Sequence, residues 1–388
     1  MDQRTIQILF ALLRSVIRGT QLTETERNLY SPNQLQDLLS VSSKQDVVHL
    51  LVFGLKQNEL ISKEHNELEK SILKAVYRYE RIRYEYEKLC VALEEARIPF
   101  MPLKGSVIRN KYPEPWMRTS CDTDIFIRKE DIKKAVDLLT NRYGYSFRNY
   151  GAHDVSLDTP NKNHLELHFS LTEENENPKA FAVLQSVWEE SNLRKGFSYW
   201  YEMPMELFYF YHIVHMAKHF EAGGHGIKPF LDIWVMDRMD VDRKKCKELL
   251  ERGGLSRFEK VMRELGSCWL DGRIPDGELK LIEQYIINGG VYGTMEQFIA
   301  MTHTKTQKKG KLRYVLSRVF MPYKSLCIYY PSLKKHPAFY PLYQGKRWLR
   351  ILFGKGRKRA ISEFGETFSL SQSDADRAFW FRNYLGLK

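Results

Sequence analysis

Two aspartates lie two residues apart at the start of an apolar run, Asp122 and Asp124 before Ile125-Phe126-Ile127. Because side chains alternate along a strand, both carboxylates are expected on the same face. Carboxylates held side by side repel each other unless a cation lies between them, which suits a hard metal such as Mg²⁺. Paired metal ions about 3.5–4 Å apart can hold the attacking and leaving oxygens in phosphoryl chemistry. The pair therefore indicates a divalent metal site.

A third acid, Glu166, lies in a later β-rich segment, His164-Leu165-Glu166-Leu167-His168. In a strand, the two leucines would face the core and Glu166 would face the opposite side, with the metal. An isolated Asp-x-Asp pair most often marks a turn or a solvated edge. The metal interpretation therefore depends on the residues that accompany the pair.

Lys104-Gly105-Ser106 supplies a second companion, because it follows the apolar run Phe100 to Leu103 and opens a short helix. Backbone N–H groups at such a position, together with a hydroxyl, can hold phosphate oxygens. The Gly-x-x-x-x-Gly-Lys spacing of a Walker loop is absent. A Gly-Ser pair alone usually means a turn, but here it precedes two acid-bearing strands.

Several segments together resemble a known family. They are Pro102-Leu103-Lys104-Gly105, Tyr112-Pro113, Arg118, Asp122-Thr123-Asp124-Ile125, Leu165-Glu166-Leu167-His168, His215-Met216-Ala217-Lys218-His219 and the run from Gly223 to Asp232. In combination they are similar to the uncharacterised bacterial nucleotidyltransferase family of the DNA polymerase β superfamily. The resemblance covers about residues 95–240, with weaker similarity near Tyr330-Pro331 and Pro341.

The resemblance implies roles for individual residues. The implied metal ligands and catalytic acids are Asp122, Asp124 and Glu166. The implied nucleotide-binding residues are the phosphate-binding pair Gly105 and Ser106, the triphosphate contacts Lys104 and Arg118, and the nucleotide or acceptor contacts Lys218, His219, Lys228 and Asp232. Two features depart from the pattern. The interval from Ser106 to Asp122 is longer than usual in the superfamily, and Lys228 replaces an arginine, which removes a planar bidentate fork.

The elements that would position these residues form four stretches. Residues 1–98 have helical periodicity, including a segment from His65 to Ala96 without Pro or Gly, and Pro99 ends it. Residues 99–175 alternate strands and helices and then run as consecutive strands, residues 176–300 form helices that complete the cleft, and residues 301–388 form a basic, aromatic-rich helical region. The expected fold is α+β: a small mixed-sheet nucleotidyltransferase domain flanked by N-terminal and C-terminal helical regions.

The composition limits the class of protein. Of 388 residues 43% are apolar, enough for a sizeable core, yet no apolar run approaches the roughly 20 residues that span a bilayer. The five cysteines are scattered, with neither a CxxC pair nor a disulfide pattern. A cytoplasmic protein is expected, one that can also lie peripheral to the inner face of the membrane.

The net charge of +12 is concentrated in one region, since no acidic residue occurs between Glu296 and Glu363. Residues 305–359 interleave cations with aromatic residues. Three interpretations remain open. One is a solvated basic face, and another is contact with an anionic membrane through a basic amphipathic helix around Trp348 to Phe353. Nucleic-acid binding is less favoured, because no recognition motif accompanies the charge.

His212, His215 and His219 share one face of a predicted helix. Packing of neutral imidazoles is favoured over zinc binding, because no partner Glu or Cys has suitable spacing. Contact with nucleotide or acceptor is a third alternative, taken from the resemblance.

The predicted function is metal-dependent transfer of a nucleoside monophosphate from an NTP, with ATP as the expected donor and Mg²⁺ or Mn²⁺ as cofactor. The acceptor would be a hydroxyl of an unidentified small molecule, natural product or protein. The alternative is a non-catalytic nucleotide-sensing or membrane-surface interaction protein built on the same scaffold.

Overall fold

The computed structural model describes residues 2–61, 66–305, 319–353 and 357–387. Part of the basic 305–359 stretch, including Arg313, Tyr314 and Lys355, lies outside the described residues. Within the described parts of the chain, no helix combines the length and apolar character needed to cross a membrane.

A five-stranded mixed sheet occupies the middle of the chain, in the order β1-β2-β5-β4-β3. Its strands are β1 Phe100–Pro102, β2 Asp122–Ile127, β3 Ser146–Tyr150, β4 Asp154–Asp158 and β5 His164–His168. Strands β2 and β5 run parallel, and the other neighbouring pairs are antiparallel. Two short strands, β6 Asn192–Leu193 and β7 Tyr201–Glu202, pair separately.

The two faces of the sheet differ as the alternation predicts. Ile125 and Ile127 of β2 and Leu165 and Leu167 of β5 are fully buried in one hydrophobic cluster. That cluster also contains Leu89 and other residues of the long helix after residue 65. The opposite face of β2 and β5 therefore carries the polar residues at the alternate positions, together with Phe126, which packs in the larger core.

Helices surround the sheet and make up most of the chain. They are α1 Gln3–Arg18, α2 Glu24–Arg27, α3 Leu35–Lys44, α4 Val48–Gln57, α5 Asn66–Glu95, α6 Gly105–Ile108, α7 Ile132–Arg142, α8 Pro178–Leu184, α9 Val187–Glu190, α10 Met205–Glu221, α11 Lys228–Met236, α12 Arg243–Arg252, α13 Ser256–Leu270, α14 Gly277–Gly289, α15 Met295–Lys305, α16 Tyr323–Tyr329, α17 Tyr340–Phe353, α18 Arg357–Ser369 and α19 Gln372–Leu385. Short 3₁₀ helices cover Pro32–Gln34, Arg109–Lys111, Pro115–Met117, Lys129–Asp131, Pro331–Lys334 and Pro337–Phe339.

Helix α10 lies at the centre of the larger hydrophobic core. Its sequence is apolar on nearly every side, which predicts a helix surrounded by protein, and Phe208, Phe210 and Ile213 are almost completely buried. The same core includes Leu9 of α1 and Phe381 of α19. The main core therefore contains residues from all four predicted stretches, and the boundaries at residues 98, 175 and 300 stay predictions.

The fold class is confirmed: the chain is a mixed α/β protein with a five-stranded mixed sheet and flanking helices. The predicted helical segment 65–96 corresponds to α5, described from Asn66, and the predicted helical stretch 176–300 contains α8 through α14.

Candidate functional site

A cleft of about 400 Å³ lies between the polar face of β2 and β5, helices α10 and α11, and the segment after α14. Most of the residues singled out from the sequence line it: Lys104, Gly105, Arg118, Asp122, Asp124, Glu166, His219, Lys228 and Asp232. These residues come from distant parts of the chain, so the fold brings them together rather than their order in the sequence.

The acids meet because β2 and β5 are parallel neighbours. Their register pairs Asp124 with Glu166, and His168 lies two residues after Glu166 on the same face. His168 Nε2 lies 2.8 Å from Asp124 Oδ1 and 3.3 Å from Glu166 Oε2. Possible ligand atoms of these three residues all lie within 4.8 Å of one another. Among the described residues, they form a group that could hold a metal ion.

Lys104 is the cation nearest to these acids. Its Nζ lies 2.7 Å from Asp124 Oδ1 and 4.0 Å from Glu166 Oε2. The residue has a positive φ of 45°, a conformation that is costly for a side chain other than glycine. The backbone is held there by hydrogen bonds from Leu103 N to Asp124 O and from Val107 N to Lys104 O. Local strain at Lys104 thus accompanies the placement of its ammonium among the carboxylates.

The pKa values of the three acids depend on their burial and on the charged residues around them. Burial raises the pKa of Asp122, and the neighbouring Asp124 raises it further. For Asp124, burial acts upward, but Lys104 and His168 outweigh it and lower the pKa. Hydrogen bonds from His164 and His168 lower the pKa of Glu166. The resident cations therefore keep Asp124 and Glu166 ionised at neutral pH.

Arg118 is fixed by a buried ion pair at the other end of the cleft. Its Nε donates to Asp232 Oδ1 at 2.7 Å and its NH2 donates to Oδ2 at 2.9 Å. Tyr112 OH also donates to Asp232 Oδ1, at 2.7 Å. Asp232 is 1% exposed, so its carboxylate is fully used within the protein. The structure thus makes Asp232 the partner of Arg118.

Asp46 reaches the cleft from the turn between α3 and α4 and was missed by the sequence interpretation. Its Oδ2 accepts hydrogen bonds from Lys228 Nζ at 2.5 Å and from Thr119 Oγ1 at 3.1 Å. Asp46 has a φ of 53°, a left-handed conformation that aspartate tolerates better than most residues. Nothing in the local sequence indicated that a residue of the N-terminal region would pair with Lys228.

Histidines form one wall of the cleft. His215 Nε2 and His219 Nε2 lie 3.1 Å apart, and His212 Nε2 donates to Pro229 O at 3.0 Å. Burial lowers the pKa of His219 to about 4 and that of His215 well below its ordinary value, so both imidazoles are neutral. Beside them, Tyr292 is 68% exposed, with its ring centroid 6.2 Å from that of His219. The wall is therefore uncharged and partly aromatic.

Ser106 and Lys218 are not brought into the cleft. Ser106 is buried on the far side of α6, where it lines a separate cavity with Tyr79 and Tyr86. Lys218 lies in another cleft, with its Nζ 3.1 Å from Glu176 Oε2. Each is adjacent in sequence to a residue that does line the cleft, but one helical step rotates a side chain by about 100°.

The glycine-rich segment before α11 forms the edge of the cleft. Gly223 has a φ of 113°, and a Cβ there would lie 2.8 Å from Phe298 Cα. The segment is joined to the residues after α14 by the hydrogen bond from Gly226 N to Val291 O, 3.2 Å long. Glycine at position 223 thus allows this segment to approach the backbone of α15 closely.

Comparison with known families identifies the family of the chain. A family model described as "Uncharacterised nucleotidyltransferase" matches residues 31–271. The chain belongs to this nucleotidyltransferase family. The match begins well before the segment that carried the resemblance in sequence, and it includes Asp46.

Beyond the nucleotidyltransferase family model, no curated protein matches the chain. The chain is similar to the solution structure of the antibiotic-resistance factor ANT(2'')-Ia, at 11% identity over 51% of this chain and 89% of that one. The TM-score is 0.25, which is too low to support an argument about fold or function.

Proposed function

We propose that this protein transfers a nucleoside monophosphate from a nucleoside triphosphate, with ATP as the expected donor, to a hydroxyl of a small molecule, natural product or protein. One observation carries the proposal: adjacent parallel strands place Asp122, Asp124 and Glu166 on one face of the sheet, lining a cleft next to Lys104. Membership of the nucleotidyltransferase family supports transferase activity.

The residues fit a divalent metal. Carboxylate oxygens of Asp122, Asp124 and Glu166 are the ligand type that Mg²⁺ and Mn²⁺ prefer, and the ligand atoms of Asp124 and Glu166 already converge with His168. When bound, the metal would polarise the α-phosphate and neutralise charge on the departing pyrophosphate.

The chain's own residues would hold the remaining groups. Lys104 is placed to contact phosphate oxygens once its ammonium turns from Asp124, and Gly105, which follows it, lines the cleft beside it. Glu166 would orient the acceptor hydroxyl or accept its proton. The neutral wall of His219 and Tyr292 offers flat surfaces on which a base or an acceptor ring can stack.

Arg118 and Lys228, at the other end of the cleft, are each paired with an aspartate. The fork of Arg118 is occupied by Asp232, so Arg118 would present its remaining N–H groups and its charge rather than a free bidentate fork. Lys228 is similarly anchored by Asp46. Both cations would therefore form a pre-positioned patch for a polyphosphate.

The test is release of pyrophosphate from each labelled NTP, with Mg²⁺ or Mn²⁺ and a metabolite extract as the source of acceptor. Asp122→Asn should abolish metal-dependent release while leaving the fold intact, and the matched control Asp240→Asn, at an exposed position, should retain it. Wild-type rates in Asp122→Asn would refute the mechanism. Nucleotide binding without turnover under every condition would support the non-catalytic sensor instead.

A further inference from the structure

One side of helix α17 exposes large apolar residues to solvent. Leu342, Leu349 and Phe353 are 66%, 58% and 86% exposed. Residues 342, 346, 349, 350 and 353 are spaced so that they share one side of a helix. That side therefore combines three large apolar side chains with the exposed cations Lys346 and Arg350. We call these five residues the α17 outer face.

The inner side of α17 is fixed by contacts with the preceding segment. Tyr340 OH donates to Met321 O at 2.6 Å, and Trp348 Nε1 donates to Val319 O at 2.8 Å. Tyr340 also packs against a small buried cluster that includes Leu326 and Leu333. Because the inner side is already engaged, the exposure of the outer face is a consequence of how the helix packs.

Charge identifies the kind of surface that the outer face fits. No acidic residue occurs from residue 297 to residue 362, and Lys334 and Lys335 are exposed nearby. A second copy of the chain docked through the same face would set cations against cations. An anionic bilayer supplies both the negative charge for these cations and the apolar depth for leucine and phenylalanine side chains.

We propose that the α17 outer face docks this protein onto an anionic membrane surface, with Leu342, Leu349 and Phe353 entering the headgroup boundary and Lys346 and Arg350 contacting anionic headgroups. This assignment is independent of the nucleotidyl-transfer proposal, because it uses none of the residues of the cleft.

Flotation with lipid vesicles tests the proposal on the full-length protein. Vesicles of phosphatidylcholine mixed with an equal part of phosphatidylglycerol should carry the wild-type protein to the top of the gradient, and vesicles of phosphatidylcholine alone should not. Lys346→Gln with Arg350→Gln should weaken partitioning by about thirtyfold, since each cation near an anionic surface contributes about a fivefold factor. The charge-matched control, Lys247→Gln with Arg252→Gln on α12, should float like the wild type.

Substitution of the apolar residues by uncharged polar ones separates a membrane from RNA, because only the bilayer takes up their apolar side chains. Leu349→Gln with Phe353→Gln should abolish flotation, whereas the exposed pair Leu73→Gln with Tyr77→Gln on α5 should not. All four positions are more than half exposed, so these changes are not expected to unfold the chain. Flotation that survives the α17 pair, or binding to RNA but not to vesicles in gel-shift assays, would overturn the proposal.

Discussion

The buried pair of Arg118 and Asp232 allows a prediction with a definite magnitude. Asp232 is 1% exposed and accepts three hydrogen bonds, two from Arg118 and one from Tyr112. Asp232→Ala would leave the guanidinium buried without its counter-charge and the tyrosine hydroxyl without an acceptor. Removal of one partner of a buried ion pair costs about 3–5 kcal/mol. We expect a loss of that size in the free energy of unfolding at neutral pH.

Urea unfolding monitored by tryptophan fluorescence measures this loss. Asp240→Ala, at an exposed position, is the control and should change stability by less than about 0.5 kcal/mol. The double variant Arg118→Met with Asp232→Leu should recover much of the lost stability, because apolar residues of similar volume often replace a buried pair without penalty. The reasoning fails if Asp232→Ala costs less than about 1 kcal/mol, or if the double variant is less stable than the single one.

The same pair fixes the sign of a pH effect. Arg118 and its hydrogen bonds lower the pKa of Asp232 below the ordinary value of 3.8, against the upward influence of burial. The stabilisation is therefore fully present above pH 3.8 and is lost as the pH falls through the folded-state pKa. The difference between wild type and Asp232→Ala should accordingly shrink in strong acid.

Two further predictions concern groups around the cleft. Burial lowers the pKa of His225 from 6.5 to about 4. Between these two pH values the unfolded state binds the proton and the folded state does not, so the free energy of unfolding decreases as the pH is lowered. When the pH is lowered from about 7 to about 5, the free energy of unfolding of His225→Gln should therefore decrease by about 2 kcal/mol less than that of the wild type, as measured by urea titration. Equal decreases in the two proteins would contradict this. Lys104→Met removes the ammonium 2.7 Å from Asp124, so Mn²⁺ should bind about tenfold or more tightly without nucleotide, as measured by electron paramagnetic resonance. Lys133→Met is the exposed control, and unchanged Mn²⁺ affinity in Lys104→Met would show that its ammonium does not compete for the acids.

Alternation along β2 and β5 is the feature that made the acidic face predictable from sequence. Once Leu165 and Leu167 are assigned to the core, Glu166 must face the side that carries Asp124. The same rule also places His168 there, two residues after Glu166, although the sequence interpretation did not use it. The adjacency of β2 and β5 could not be predicted in the same way, because period-two patterns do not specify which strands pair.

Residues on helices were harder to place than those on strands. Helix α6 contains only four residues, Gly105–Ile108, so the local sequence carries too little periodicity to show that Gly105 faces the cleft and Ser106 faces away. On α10, the apolar residues surround the helix almost completely, which leaves no polar stripe to reveal that His219 and Lys218 face different clefts.

No local sequence pattern assigned the N-terminal helices to the site. The turn between α3 and α4 nevertheless contacts the elements that form the cleft. Gln45 Nε2 donates to Ile286 O at 3.0 Å, and its Oε1 accepts from Ile227 N at 3.0 Å. One buried side chain thus links the end of α14 to the start of α11, which carries Lys228. Asp46 follows directly and pairs with that lysine. The family match also begins at residue 31 and so includes both residues, and through them the turn between α3 and α4 contributes to the cleft.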